Sequence, residues 1–247
     1  MTEFLDTPQG RRIAYERHAG QAPGVLFLGG FKSDMRGSKA EFLADWARRT
    51  GHAFLRFDYS GHGESDGEFE AGSIGDWFAD ALAVIDALTE GPQVLIGSSM
   101  GGWISLLCAR ARPHRVAGLI GIAAAPDFTK NGYWASLDES ARTELMTAGR
   151  IELPSEYDDG PYVITRRLIE DGQDHLVLES PLELPFPVRL FQGTADADVP
   201  LDWALRLLDH AQGPDMRLML VKGADHRFSS PECLALIEAA AAELVRG

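Results

Sequence analysis

Cysteine is scarce in this chain: 247 residues carry two, Cys108 and Cys233. Both lie in apolar, helix-like stretches and neither has metal-ligand spacing. They read as small core residues, so no disulfide framework and no oxidising compartment is required. Basic residues are outnumbered, with 23 Lys and Arg against 37 Asp and Glu and a formal net charge of −14. A chain of that sign lacks the basic face that a phosphate backbone needs, which excludes a nucleic-acid partner. No apolar run approaches the roughly 18 residues that span a bilayer. Met1-Thr2-Glu3-Phe4-Leu5-Asp6 has neither the basic nor the apolar region of a secretory signal, so a cytoplasmic location is expected. The Walker phosphate loop, a G-x-G-x-x-G after a strand and H-E-x-x-H are all missing, so no cofactor and no metal is implied. Repeats, low-complexity tracts and charge blocks are absent as well.

What is present is ordinary globular material, 45% apolar and 24% charged, in a length that one α/β domain fills. Residues 4–15 read as a hairpin turning at Thr7-Pro8-Gln9-Gly10. The apolar runs 24–30, 52–57, 94–96, 116–122, 188–192 and 216–221 read as buried strands, as in a parallel sheet. Helical patterns fill 39–49, 74–89, the stretch after residue 101, 201–210 and 231–245. The alternation breaks over 127–184, where no convincing buried strand is seen and helices are expected at 139–148 and 162–170. That stretch, with Pro154 and Asp158-Asp159-Gly160-Pro161 between its helices, reads as a cap inserted in a single domain. Strands alternating with helices imply a mostly parallel sheet with helices on both faces. Reactive groups then belong at the carboxyl ends of strands.

One such end carries Gly97-Ser98-Ser99-Met100-Gly101, between the strand Val94-Leu95-Ile96 and a following helix. A Ser framed as G-x-S-x-G at a strand-to-helix turn is the pattern of a nucleophile elbow. Only Ser99 has a Gly two residues away on both sides, so Ser98 is the spacer. The pattern alone also arises by chance, and its meaning depends on partners. In α/β hydrolases an acid and then a His follow the Ser in the chain. Asp196 follows the strand 188–192 and His226 follows the strand 216–221. His226 would exchange the Ser99 proton and Asp196 would orient the imidazole. The weaker alternatives are Asp198, Asp202 or Asp196 itself as turn or cap residues, Asp225 as the acid, and His62 as a spare base. An oxyanion needs two backbone N–H donors. Met100, after the Ser, and Phe31, in the Gly29-Gly30-Phe31 loop after the first buried strand, are expected to supply them. Phe128, Tyr133, Trp134 and Leu137 are expected either to line an acyl pocket or to glue the cap to the core.

Three stretches carry a more specific likeness. They are Arg56-Phe57-Asp58-Tyr59-Ser60-Gly61 with Ser65-Asp66-Gly67, Gly91-Pro92-Gln93 through Gly101-Gly102-Trp103, and Asp225-His226-Arg227. With the cap segments Pro154-Ser155-Glu156-Tyr157 and Gly160-Pro161-Tyr162, they resemble the α/β-hydrolase domain-containing protein 10 family over nearly the whole chain. The resemblance implies an α/β-hydrolase fold with a small helical cap, palmitoyl-protein thioesterase and acyl-glucuronide esterase chemistry, and a triad on Ser99, Asp196 and His226. The chain departs from that family in lacking a transit peptide, as a bacterial homologue would, in having His62, and in its loosely similar cap. The expectation is a serine hydrolase of acyl thioesters or carboxylic esters, acting on small-molecule or protein-linked acyl groups. A short-chain carboxylesterase or C–C bond hydrolase on the same triad is the alternative. A catalytically inactive hydrolase fold that binds ligand is the alternative of another class. Ser at position 99, where a haloalkane dehalogenase needs Asp, disfavours that reaction.

Overall fold

The computed structural model describes residues 1–153 and 161–246. Pro154-Ser155-Glu156-Tyr157 and Asp158-Asp159-Gly160, named above in the cap, lie outside the described residues. Strands β1 (Glu3–Asp6) and β2 (Arg12–His18) form the expected hairpin. The sheet continues through β3 (Gln21–Leu28), β4 (His52–Phe57), β5 (Gln93–Ser98), β6 (Val116–Ile122), β9 (Val188–Gly193) and β10 (Met216–Val221). Its eight strands run in the order β1-β2-β4-β3-β5-β6-β9-β10, parallel from β4 to β10 and antiparallel at β1/β2 and β2/β4.

Successive residues of a strand face opposite sides of a sheet, and both sides are buried here. Val25, Phe27, Val94, Ile96, Ile120 and Ile122 pack beneath α1 (Ser38–Thr50) and α7 (Pro231–Leu244). Leu26, Leu28, Leu95, Leu119 and Leu190 pack on the other side with α2 (Ile74–Leu88), α3 (Met100–Ala111) and α6 (Leu201–His210). Continuous apolar runs in these strands follow from this double burial. Cys108 and Cys233 are buried and unpaired, one in each layer.

Helix starts follow local chemistry. Ser73 caps α2 by accepting from Asp76 N, and Ser230 caps α7, with Pro231 in its first turn. Helix α3 is the exception. Its N-cap is Ser99, at φ 54° and ψ −118°, and the Ser99 side chain makes no cap hydrogen bond. Its hydroxyl is turned elsewhere.

The segment between β6 and β9 differs from the expectation. Helix α4 (Glu139–Ala148) stands where predicted. Residues 162–170 are not one helix: β7 (Arg150–Leu153) and β8 (Tyr162–Thr165) pair antiparallel, and only then does α5 (Arg166–Gln173) begin. Tyr162-Val163-Ile164-Thr165 is aromatic and β-branched, which suits a strand, and Thr165 caps α5 by accepting from Leu168 N. A π-helical turn, Thr129–Trp134, precedes α4. Asp127, fully buried at φ 59°, clamps this turn to the later chain by accepting from Val177 N at 2.8 Å and Leu178 N at 3.0 Å.

Candidate active site

The turn between β5 and α3 is so tight that it admits no side chain at its flanks. A Cβ on Gly97 would lie 2.3 Å from Gly101 O, and one on Gly101 would lie 2.1 Å from Leu28 O. Both contacts are with backbone, which cannot swing away, so only Gly fits. Their absence of side chains lets α3 start against the end of β3. Ser99 N donates to Ile122 O at 2.9 Å, and Ser99 O accepts from Ala125 N at 3.1 Å. The residue is thus held in a backbone region that costs on the order of 1–3 kcal/mol for a non-Gly residue.

Held this way, Ser99 Oγ lies 3.1 Å from His226 Nε2. His226 Nδ1 lies 2.9 Å from Asp196 Oδ2. Three strand ends, β5, β9 and β10, therefore converge as the order of residues in the sequence anticipated. The loops that carry Asp196 and His226 are tied to each other. Ala195 N donates to Ala224 O at 3.0 Å, Thr194 N to Val221 O at 3.0 Å, and Gly223 N to Thr194 Oγ1 at 2.9 Å.

The Asp196 carboxylate is fully enclosed. Burial pushes its pKa up, but the hydrogen bonds from His226, Val199 N and Gln192 outweigh this and hold it below the usual carboxylate value. A carboxylate that stays charged beside an imidazole fixes the Nδ1–H tautomer and stabilises the imidazolium. An imidazole so placed can take a proton from a hydroxyl at 3.1 Å.

Gln192 was not anticipated. It is fully buried, and its Nε2 donates to Asp196 Oδ2 and to Val199 O, each at 2.9 Å. Within the sequence it is one polar letter ending an apolar strand, and its meaning comes only from the acid four residues on.

The weaker alternatives have other occupations. Asp198 is exposed, and its N–H donates to Asp196 Oδ1 at 3.0 Å. Asp225 accepts from Phe228 N at 3.1 Å. His62 is not a spare base: its Nδ1 faces Ser60 O at 3.2 Å, and its ring is edge-on to Tyr59, Phe69 and Trp77. Burial depresses its pKa to about 4, so it is neutral at physiological pH. Asp196, Asp198 and His226 also form a metal-like grouping, with ligand atoms within 4.8 Å. Both His226 nitrogens are already engaged by Asp196 and Ser99, so the grouping has no imidazole lone pair to spare.

Above Ser99 opens a cavity of about 690 Å³ that includes Gly30, Phe31, Ser99, Met100 and His226 in its wall. Met100, first residue of α3, carries an N–H with no intrahelical acceptor. Neither its N–H nor that of Phe31 donates to another backbone group among the described residues. The Phe31 loop is pinned from below by Asp58, which accepts from Met35 N at 2.6 Å and Glu64 N at 2.8 Å. Burial nevertheless leaves the Asp58 pKa raised.

Phe128 and Tyr133 line the cavity; burial pushes the Tyr133 hydroxyl pKa up. Trp134 and Leu137 do not line it. Arg142 holds Trp134 from outside, lying 5.1 Å over its ring and donating to its carbonyl, and Leu137 is buried in the core. The π-helical turn shifts their side chains away from the facing position that helical spacing suggests. Tyr162, Leu153, Trp203, Lys39 and Arg227 line the cavity instead. Lys39 Nζ donates to Arg227 O, and burial lowers the Lys39 pKa to about 8, against the raising effect of Asp225.

Comparison with known proteins agrees with this architecture. Residues 24–152 match the Hydrolase_4 family, described as serine aminopeptidase, S33. Rat palmitoyl-protein thioesterase ABHD10, mitochondrial, is 40% identical over 235 residues, 95% of this chain and 79% of the rat protein. The structure of mouse alpha/beta hydrolase domain-containing protein 10 is 37% identical with a TM-score of 0.93, covering 100% of this chain and 98% of the mouse chain. A crystal structure from Agrobacterium vitis S4 is 38% identical with a TM-score of 0.95, covering 99% of this chain and 98% of its own. The sheet order, the helical layers and these relatives together place the chain in the α/β-hydrolase fold, in the Hydrolase_4 family and in the family of alpha/beta hydrolase domain-containing protein 10, as a hydrolase.

Proposed function

We propose that this hydrolase cleaves acyl thioesters or carboxylic esters through an acyl-enzyme on Ser99. Ser99 Oγ attacks the acyl carbon while its proton passes to His226 Nε2. The tetrahedral oxyanion is held by the Met100 and Phe31 N–H groups. The bond to sulfur or oxygen then breaks, and the leaving group departs with the proton from His226. Water repeats the sequence: it loses a proton to His226, attacks the acyl carbon, and the Ser99 oxygen leaves with that proton as the acid is released. Asp196 stays ionised throughout and holds the imidazole in register. Residues 127–184 act as a cap on this single domain and supply much of the acyl pocket.

The observation that carries this reading is the continuous pair of contacts, Ser99 Oγ to His226 at 3.1 Å and His226 to Asp196 at 2.9 Å. The thioesterase name of the rat relative supports the choice of acyl substrates. The test is turnover of a p-nitrophenyl ester and of an acyl thioester by wild type and by Ser99→Ala. The variant should fold and lose at least about 10⁴-fold in kcat. Retained turnover contradicts the proposal.

A further inference from the structure

The Phe31 side chain stands between two spaces. On one side it meets three rings of the cavity wall, Phe128, Tyr133 and Tyr162, at centroid distances of 5.7, 6.1 and 5.8 Å. On the other it meets Phe69 at 4.8 Å and Trp77 at 5.9 Å. Those two rings line a separate crevice with Gly72, Val163 and Leu168, too narrow to admit a water. Phe31 is the one aromatic residue in the walls of both spaces among the described residues.

The crevice is chemically suited to hydrocarbon. Phe69 and Trp77 stack at 5.8 Å and 20°, and His62, edge-on behind them at 5.0 and 5.2 Å, is uncharged. Glu70 marks its outer end, ion-paired with Arg150 at 3.4 Å. Phe31 and Ser99 share the wall of the same cavity, so an acyl chain carried on Ser99 lies in the space this ring borders. An acyl chain extending along Phe128 and Tyr133 would run against this ring, whose centroid lies 5.7 and 6.1 Å from theirs.

We propose that the Phe31 ring ends the acyl pocket and sets the longest acyl chain the enzyme accepts, with the Phe69–Trp77–Leu168 crevice as latent space behind it. The inference rests on the acyl-enzyme reading above. Tyr162, on β8, and Phe69, between β4 and α2, hold the ring from either side. Its position is therefore set by packing between the turn that carries Phe69 and the strand that precedes α5, and not by its own loop alone.

The test is kcat/KM across p-nitrophenyl esters from acetate to palmitate, for wild type, Phe31→Ala, Phe31→Trp and Phe69→Ala. Each methylene buried before the ring should raise kcat/KM about fourfold, and the profile should then level or fall. Phe31→Ala should move that break outward by at least one even-carbon step. Phe69→Ala, which leaves the Phe31 backbone untouched, should move it the same way, and Phe31→Trp should move it inward. If Phe31→Ala fails to fold, Phe31→Leu carries the same expectation. A drop by one common factor at every chain length, or a break that stays in place in all variants, overturns the inference. Turnover of the same esters that persists in Ser99→Ala, run alongside, would instead be a failure of the acyl-enzyme reading, so the two outcomes separate.

Discussion

Gln192 Nε2 and His226 Nδ1 meet the same oxygen of Asp196, each at 2.9 Å. One donor comes from the carboxyl end of β9 and the other from the loop after β10, so the carboxylate is fixed from two neighbouring strand ends. Its second oxygen takes the N–H groups of Asp198 at 3.0 Å and Val199 at 2.9 Å. The acid is thereby saturated with donors before any substrate arrives.

Gln192→Met keeps the length and removes the donor. A hydrogen bond to a buried charge contributes about 1.5 kcal/mol or more, so kcat should fall about tenfold with KM little changed. The Gln192 Oε1 has no partner among the described residues, so removal of the amide relieves one buried unsatisfied atom. The melting temperature should change far less than kcat, and a variant that loses stability without loss of kcat contradicts the assigned positioning role.

His62 gives a stability prediction with a defined sign. Its folded pKa of about 4 lies below the ordinary 6.5, because burial disfavours the imidazolium. Above pH 6.5 neither state binds the proton and the full stability is present. Between pH 6.5 and about 4 the unfolded chain gains a proton that the folded chain refuses, and stability falls. Over pH 7 to 5 this group should contribute about 2 kcal/mol of that fall. Urea unfolding of His62→Phe at the two pH values should show a slope smaller by that amount. An unchanged slope would mean the imidazole is protonated in the folded protein.

Gly101→Ala tests the tightness of the elbow. The added methyl would stand 2.1 Å from Leu28 O and 2.5 Å from Gly29 O. Helix α3 must then back away from β3, at a cost of about 3 kcal/mol or more. Thermal unfolding should shift down by about 6–12 °C, and turnover should fall because Met100 N–H moves with the helix. A variant with wild-type melting would show that the backbone approach is looser than described.

Much of this was legible in the residues because it rests on local signals. Gly97 and Gly101 mark the elbow, buried strands announce themselves as apolar runs, and Asp196 and His226 each stand a few residues past a strand end. What escaped depends on contacts between distant parts of the chain. Gln192 matters only because Asp196 folds back on it. Tyr162-Val163-Ile164-Thr165 becomes a strand because Arg150–Leu153 lies opposite. Trp203, Lys39 and Arg227 enter the cavity wall from α6, from α1 and from the loop after β10, and no spacing in the sequence joins them. Trp134 and Leu137 take the second of their two expected roles, packing on the core and not lining the cavity, because the Thr129–Trp134 turn is π-helical and rotates the following side chains off the cavity face.

The most direct measurement is the intact mass of the protein after brief exposure to an acyl thioester, followed by peptide mapping of the adduct. An acyl group on Ser99, absent from Ser99→Ala and accumulating in His226→Ala only far more slowly, is the predicted result. Turnover of the same thioester with no adduct on Ser99, or with undiminished rate in Ser99→Ala, would contradict it.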